Sequence, residues 1–436
     1  MHSAADNPAE DPDEDPAEGP ADGPAAELAV RPTIRPTIRL RPKANARAIR
    51  HGFPWVYADE LVLDRRTKAL APGTIATLED AERRPLGTAA LTPASRIPAR
   101  LLDRDPTAEI GPDWLRARIG AALALRDRLY SEPYYRLVHA EGDGLPGVVI
   151  DRFGPAAVIQ PNAAWADRML LDIVTALVAE TGVETVVKNG QGRARLAEGL
   201  DDTVEVILGR LDGPVPVPMN GATYMADLLG GQKTGLYYDQ RDNHAFAARL
   251  VSGQSGARVL DVFSHVGGFA LSALAAGAGH ALAVDGSEPA LALAAEGAAR
   301  SGLAGRFETR REDAFAALEA LGTEGARFDL VICDPPAFAP SKQALEAGLR
   351  AYERVARLAA PLVAPGGYLM LCSCSHAADL AKFRTACGRG IGRAGRRGQI
   401  LHTGFAGPDH PTLPELGETA YLKALASPLP DIAFCP

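Results

Sequence analysis

The segment Cys333-Asp334-Pro335-Pro336-Ala337-Phe338 follows the apolar run Phe328-Asp329-Leu330-Val331-Ile332. It reads as a buried strand that stops at a rigid mouth. Proline fixes φ and keeps the residue before it extended, so two in succession set the course of the loop. Asp334 brings a carboxylate, the loop brings carbonyls that no helix claims, and Phe338 brings an aromatic face. Ligands bind at the carboxyl ends of strands in open α/β sheets. A flat heteroaromatic base fits there, hydrogen-bonded by Asp334 and stacked on Phe338, with Pro335 and Pro336 beside it.

A second group precedes it. Leu260-Asp261-Val262-Phe263-Ser264-His265-Val266-Gly267-Gly268-Phe269 has the form of a strand-to-helix turn whose adjacent glycines let the backbone approach a ligand. It is not the GxGxxG pyrophosphate fingerprint, which disfavours a nicotinamide dehydrogenase. An aspartate at that position, rather than a third glycine, suits a ligand with an ammonium and no phosphate. Asp285 ends the next strand, where an acid accepts from ribose hydroxyls. Asp313 follows the third strand and can meet an adenine amino group. Amino acid, ribose and adenine, in that order, describe S-adenosylmethionine. Each acid alone reads as a helix or turn cap; three at successive strand ends, with Asp334 at the fourth, read as a cofactor groove.

The elements that must position these residues alternate regularly from about 256. Strands are expected at 258–263, 280–285, 306–310, 328–333 and 367–373, with helices at 267–276, 288–301, 313–321, 343–359 and 377–387. That alternation predicts a doubly wound, mostly parallel Rossmann-like sheet, closed by an antiparallel hairpin within 399–425. Ahead of it, 38–105 is short and β-like with turn signals at Pro72-Gly73, Arg84-Pro85 and Thr92-Pro93, which suggests a small barrel-like domain. Between the two lies a mixed α+β region, with helices at 113–130 and 165–181 and strands at 133–160, 183–189 and 203–208. Gly213-Pro214-Val215-Pro216-Val217-Pro218 reads as a linker or edge segment. The expected domains are a disordered acidic tail at 1–30, a β-barrel-like unit at 31–107, an α+β unit at 108–215 and the cofactor domain at 216–436.

With 436 residues, 47% hydrophobic and 23% charged, the chain has room for several cores. No run of 18 apolar residues suggests a membrane span, and residues 1–27 lack the basic and apolar regions of a signal peptide. Five cysteines without CxxC spacing argue against a disulfide framework or a zinc site, so no metal is expected and a reducing cytoplasm fits. The net charge of -8 is concentrated: residues 1–27 hold nine acids and no lysine or arginine, and without them 46 bases face 45 acids. Residues 28–58 hold seven bases (Arg31, Arg35, Arg39, Arg41, Lys43, Arg47, Arg50) and no acid, and Arg389, Arg393, Arg396 and Arg397 form a second group. Such patches are either solvated surface or the electrostatic footprint of nucleic-acid binding.

Four motifs in one order carry a resemblance. Gly231-Gln232-Lys233-Thr234-Gly235-Leu236-Tyr237-Tyr238-Asp239-Gln240-Arg241, the Asp261-to-Phe269 turn, Asp-Pro-Pro-Ala-Phe and Ser373-Cys374-Ser375-His376 are similar to those of the bacterial 23S ribosomal RNA large-subunit methyltransferases that make 5-methylcytosine. His51-Gly52-Phe53-Pro54-Trp55-Val56-Tyr57 resembles that family's PUA domain, Gly142-Asp143-Gly144-Leu145-Pro146-Gly147 its middle domain, and Asp409-His410-Pro411 with Tyr421-Leu422-Lys423 its closing hairpin. The resemblance implies S-adenosylmethionine as cofactor and ribosomal RNA as partner. It implies that Gln232, Lys233, Asp239, Gln240 and Arg241 flank the cofactor together with Asp261, Phe263, Ser264, Gly267, Asp285, Asp313 and Asp334. Lys233 and Arg241 can instead meet RNA phosphate or pair with Asp239. Two positions depart from the pattern: Met219 where an acid is usual, and Ala377 where a second histidine often follows His376.

Carbon 5 of cytosine is a poor nucleophile, and the general solution is a thiolate that adds to carbon 6. Cys333 ends its strand and is expected inside. Cys372 and Cys374 share a strand face; Cys372 is deeper, so Cys374 is the expected nucleophile, with Asp334 orienting the base. Trp55, Tyr57 and Phe338 are candidates for stacking an unpaired base. The alternatives are a guanine (N2 or N7) methyltransferase on the same fold, a small-molecule methyltransferase, and a non-catalytic RNA-binding assembly factor.

Overall fold

A computed structural model describes residues 35–231 and 234–430. The acidic stretch 1–30, Arg31, Gln232 and Lys233 lie outside the described residues.

The seven-stranded sheet follows from alternating side chains. Its elements are β1 (Arg258–Val262), α1 (Gly268–Ala275), β2 (His280–Asp285), α2 (Glu288–Arg300), β3 (Phe307–Arg311), α3 (Ala314–Thr323), β4 (Phe328–Cys333), α4 (Leu345–Ala359), β5 (Val363–Ser373), α5 (Leu380–Arg393), β6 (His402–Gly404) and β7 (Lys423–Pro428). The strand order is β3-β2-β1-β4-β5-β7-β6. The first five strands are parallel, and β7 runs antiparallel between β5 and β6. The order reverses beside β1, which leaves a crevice at the carboxyl ends of β1 and β4.

Each face of the sheet buries its own core. Val259, Ala283, Leu330, Ile332, Met370, Cys372 and Ala424 pack on one side with Phe269, Leu271 and Ala247. Leu260, Val262, Val331, Cys333, Leu369, Leu371 and Leu425 pack on the other with Tyr352, Val355 and Phe383. Strand residues alternate between faces with period two. Asp261 therefore shares the first face with Val259, and Cys372 is on it too. Helix starts are set by side-chain caps: Ser287 for α2, Asp313 for α3 and Asp379 for α5 each accept from backbone N–H groups of the first turn.

Two further sheets precede this one. Strands Thr37–Arg39, Trp55–Val56, Thr74–Glu79, Pro85–Leu91 and Ala99–Asp103 form a five-stranded sheet with its own small core. Strands Tyr134–His139, Val148–Phe153, Ala156–Pro161, Thr185–Asn189 and Val204–Leu208 form a second, covered by helices Pro112–Leu129 and Leu170–Thr181. The region expected as one helix over 165–181 is two, parted at Met169, whose φ of -101° and ψ of 19° leave the helical range.

The proline-rich segment is a strand. Val215–Met219 pairs antiparallel with Ala222–Ala226. Asn220 and Gly221, at φ 51° and 77°, make the tight turn between them, the backbone that two-residue hairpins require.

Candidate active site

The turn after β1 is strained. Phe263, His265 and Gly267 have φ of 63°, 50° and 78°, and left-handed backbone at non-glycine residues clusters where function demands it. Val284 carbonyl accepts from Ser264 N–H at 3.1 Å, and Asp285 Oδ2 accepts from His265 N–H at 2.9 Å. The end of β2 thus holds the turn in shape.

Inside it, Asp261 is fully buried. Oδ2 accepts from Ala270 N–H at 3.0 Å, while Oδ1 has no partner, and neither does the buried Ser264 Oγ. Burial pushes the Asp261 carboxyl up to about 8, with the fields of Asp334 and Asp285 adding to it and the Ala270 N–H opposing. A buried carboxylate with one oxygen lacking a partner, in the same turn as a buried hydroxyl lacking one, fits a ligand bearing an ammonium, as the methionine moiety of S-adenosylmethionine does. Asp285 Oδ1 also accepts from Ser287 N–H. Asp313 is exposed and caps α3 through Oδ1, which accepts from Phe315 and Ala316 N–H.

The mouth of β4 is tied to the segment before β1. Asp334 N–H donates to Val262 carbonyl, and Gln240 Nε2 donates to Asp334 Oδ2 at 2.9 Å. Asn243 Nδ2 donates to Gln240 Oε1 at 2.6 Å and fixes the amide's orientation. Asp239, buried, accepts from Tyr421 Oη at 2.6 Å and keeps its Oδ1 unpartnered. Arg241 does not join this cluster. Its guanidinium lies 4.4 Å over the Tyr130 ring, and its carbonyl accepts from Asn220 Nδ2.

Pro335 is buried and Pro336 exposed. Phe338 is half-buried against three rings, Phe263 at 6.3 Å, Phe315 at 6.2 Å and Tyr352 at 5.0 Å. Two of those belong to the turn after β1 and the start of α3, so its ring borders the side of the crevice where Asp285 and Asp313 stand. Trp55 donates from Nε1 to Glu141 Oε1 at 2.8 Å and stands edge-on to Phe53 and Tyr57.

The four described cysteines separate by burial. Cys333, Cys372 and Cys387 are buried, and burial holds all three thiols well above the usual range. Cys374 is half-exposed. Its neighbours Ser373 and Ser375 turn to the opposite face, where Ser373 Oγ and Ser375 Oγ both reach Tyr352 Oη, at 2.8 and 2.7 Å. Ser375 Oγ also accepts from Ala339 N–H at 3.0 Å. Ser375 thus fastens the thiol-bearing turn to the end of the Asp-Pro-Pro-Ala-Phe loop, with Tyr352 bonding both serines and packing its ring on Phe338.

Space opens around Tyr421 and His376. His376 is exposed, with its ring 5.4 Å from that of Tyr421. Two cavities of about 220 Å³ each share His139, Thr419 and Tyr421; one also takes in His376, Glu141 and Pro411, the other Phe405 and His410. Tyr237, half-buried with its ring 5.0 Å from His265, feels the charges of Asp239, Cys374, Asp334 and Asp285, and burial pushes its phenol up to about 12. Tyr237, Tyr352 and Tyr421 thus belong to the site although no sequence argument assigned them a role; for Tyr237 and Tyr421 the signal was membership of the quoted motifs.

Comparison with known proteins gives the family. The family described as a PUA-like domain matches residues 38–104, and that described as an S-adenosylmethionine-dependent methyltransferase matches 161–425. The ribosomal RNA large subunit methyltransferase I of Erwinia tasmaniensis is 34% identical over 392 residues, covering 88% of this chain and 97% of its own. That of Cronobacter sakazakii is 33% identical over 393 residues, covering 88% and 97%. The chain belongs to this methyltransferase family. It is an S-adenosylmethionine-dependent methyltransferase with an N-terminal PUA-like domain. Among solved structures, an S-adenosylmethionine-dependent methyltransferase assigned in Streptococcus mutans superposes with a TM-score of 0.74 at 17% identity, covering 90% of this chain and all of the other. A second, solved with S-adenosylhomocysteine, gives 0.75 at 18%, covering 91% and 100%. Both share the fold. No helix among the described residues is long and apolar enough to cross a membrane.

Proposed function

We propose that this enzyme methylates carbon 5 of a cytosine in large-subunit ribosomal RNA through a covalent adduct on Cys374. The observation that carries the reading is the half-exposed Cys374 thiol at the strand end beside the Asp334 loop, while the other described thiols are buried. The relatives are named for action on ribosomal RNA of the large subunit, and a PUA-like domain at 38–104 fits an RNA substrate. Such a substrate goes with a cytoplasmic enzyme. We take 31–107 as the RNA-binding unit, 108–215 as a bridge and 216–436 as the transferase.

In this reading Asp261, Phe263, Ser264, Gly267, Asp285 and Asp313 hold S-adenosylmethionine, with Asp239, Gln240 and Asp334 at its edge. Bound there, the cofactor supplies an electrophilic methyl on a sulfonium. The Cys374 thiolate adds to carbon 6, and the displaced electron pair makes carbon 5 nucleophilic. Asp334, oriented by Gln240, accepts from the exocyclic amine and holds the ring. Once carbon 5 carries the methyl group it gives up its proton to water. The carbon 6–sulfur bond then breaks and its electrons return to sulfur, restoring the thiolate. Pro335, Pro336 and Phe338 confine the base. The cavities around Tyr421 and His376 provide the approach for a base taken out of its stack, a step that enzymes acting on bases share.

The test is Cys374→Ala. Transfer should vanish while S-adenosylhomocysteine still binds with wild-type affinity. Wild-type enzyme should also form a stable adduct with RNA carrying 5-fluorocytosine, because fluorine at carbon 5 blocks proton loss. Retained activity in the variant would refute the covalent route and favour transfer to an exocyclic nitrogen.

A further inference from the structure

Lys423 opens β7 directly opposite Ser373 in the antiparallel pairing with β5. It is 5% exposed, and its Nζ donates to the carbonyls of Ser375 at 2.7 Å and Ala378 at 2.8 Å. Those carbonyls bracket the turn that begins at Cys374. A buried lysine whose two described partners are neutral carbonyls is unusual, because burying a charge is costly unless it is paired. No carboxylate is within ion-pair distance of it among the described salt bridges. Burial lowers its affinity for the proton, and the charges that work the other way are those of Cys374 and then Asp379.

We propose that Lys423 is a positioning residue for the reaction: it clamps the turn carrying Cys374 and supplies the positive charge that favours the thiolate. The inference rests on the reading of Cys374 as nucleophile. The groups around the thiol explain the need. Tyr237 from the segment before β1, Tyr352 from α4, Tyr421 from the stretch leading to Lys423, and Lys423 itself feel the charge of Cys374, while Asp239 and Asp334 act on Tyr237, Asp239 also on Tyr421, and Asp379 on Lys423; His376 follows two residues on in the same turn. The carboxylates among them oppose a second negative charge, and the phenols are neutral at working pH. Lys423 counters them from the far side of the turn. No proton passes through the lysine; the thiol gives its proton to solvent before RNA binds, and the ammonium stays charged throughout.

The experiment is alkylation of Cys374 by iodoacetamide in the full-length enzyme, followed by mass spectrometry of the Cys374 peptide from pH 5.5 to 9.5. Wild type should alkylate along a titration centred below the ~8.5 of a free cysteine. Lys423→Met should move that titration upward by about one pH unit, which is about a tenfold loss of rate at pH 7. Lys423→Arg, which keeps the charge, should recover part of the rate. Coincident titrations of wild type and a folded Lys423→Met would overturn the proposal and leave the lysine a structural clamp. If Lys423→Met does not fold, the wild-type profile decides alone, and a midpoint at or above that of free cysteine overturns it. These readouts do not depend on turnover. An active Cys374→Ala enzyme would remove the nucleophile reading, whereas an unshifted alkylation profile removes only the role of Lys423.

Discussion

The affinity of this enzyme for its cofactor should depend on pH through one buried acid. Asp261 is fully buried, with one oxygen bound to Ala270 N–H and the other without a partner. Its carboxyl, pushed up to about 8, is protonated in the free enzyme at neutral pH. A cofactor ammonium favours the ionised form, so binding below pH 8 must expel one proton. Each pH unit of that expulsion costs about 1.36 kcal/mol, or a factor of ten. Since the acid is half ionised at about pH 8, the association constant for S-adenosylhomocysteine should rise about 50-fold through this group from pH 6 to pH 8. Above about 8 it should level and fall, as the ligand's own α-amino group loses its proton. Isothermal titration calorimetry in two buffers of different ionisation enthalpy reads both the affinity and the proton released. The same shift has a stability sign. A folded carboxyl raised above its unfolded value keeps a proton that the unfolded chain surrenders, so apo stability falls as pH rises from about 4 to 8. Asp261→Asn should bind the ligand weakly, without the rise. As apo protein it should melt above wild type at pH 8, with a smaller difference at pH 5. A pH-independent wild-type affinity between 6 and 8, or an Asn variant that binds normally, would refute the assignment.

Tyr352→Phe removes the phenol shared by the Ser373 and Ser375 hydroxyls, each of which keeps only a backbone N–H bond; the two lost hydrogen bonds should cost about 2 kcal/mol of stability and lower kcat more than they raise the KM for cofactor, which thermal melts and steady-state kinetics check. Asp143→Ala removes the two-pronged partner of the fully buried Arg126, and urea denaturation should show a loss of about 3–5 kcal/mol, the usual result of an uncompensated buried charge. Asp313→Ala should cost about 1 kcal/mol through the lost helix cap. If Asp313 also meets the adenine, S-adenosylhomocysteine will bind more weakly as well, and calorimetry beside the melt separates the two effects.

The catalytic sheet was legible because its central strands are apolar on both faces and three of its helices, α2, α3 and α5, carry a side-chain cap. The hairpin at 215–226 was harder to read. Pro216 and Pro218 argue against a strand in a sheet interior, but a two-stranded ribbon leaves each strand an outer edge that needs no donor, and Asn220-Gly221 was the turn signal. Other contacts were closed to sequence reading by distance along the chain. Arg126 Nη2 donates to Asp409 carbonyl at 2.8 Å, Arg136 N–H donates to Asp409 Oδ2 at 3.0 Å, and His410 Nδ1 lies 2.8 Å from Asp409 Oδ1. These bonds dock the closing segment on the strand Tyr134–His139, and Arg136 is held in turn by Asp151. Nothing local in Asp409-His410-Pro411 announces a partner in another sheet. Several charges of the basic clusters are matched within the protein: Arg50 pairs with Asp80, Arg393 with Glu353, and Arg396 donates to the carbonyls of Ala360, Val363 and Leu429.

Strand parity explains why one thiol among several is available. Residues 372 and 374 must point to the same side of β5, and the burial of Cys372 beneath that side leaves the thiol two residues further on at the rim. The residues between and beyond, Ser373 and Ser375, must point the other way, into the apolar core beneath α4. Hydroxyls there would be costly unless bonded, and Tyr352 bonds both. The polar side chains that look out of place in that core are therefore what fixes the rim. A turn held from below by Tyr352 and Lys423 can present a half-exposed sulfur at a set height. The arrangement predicts that substitutions on the α4 face will impair transfer more than they weaken cofactor binding on the Asp261 side.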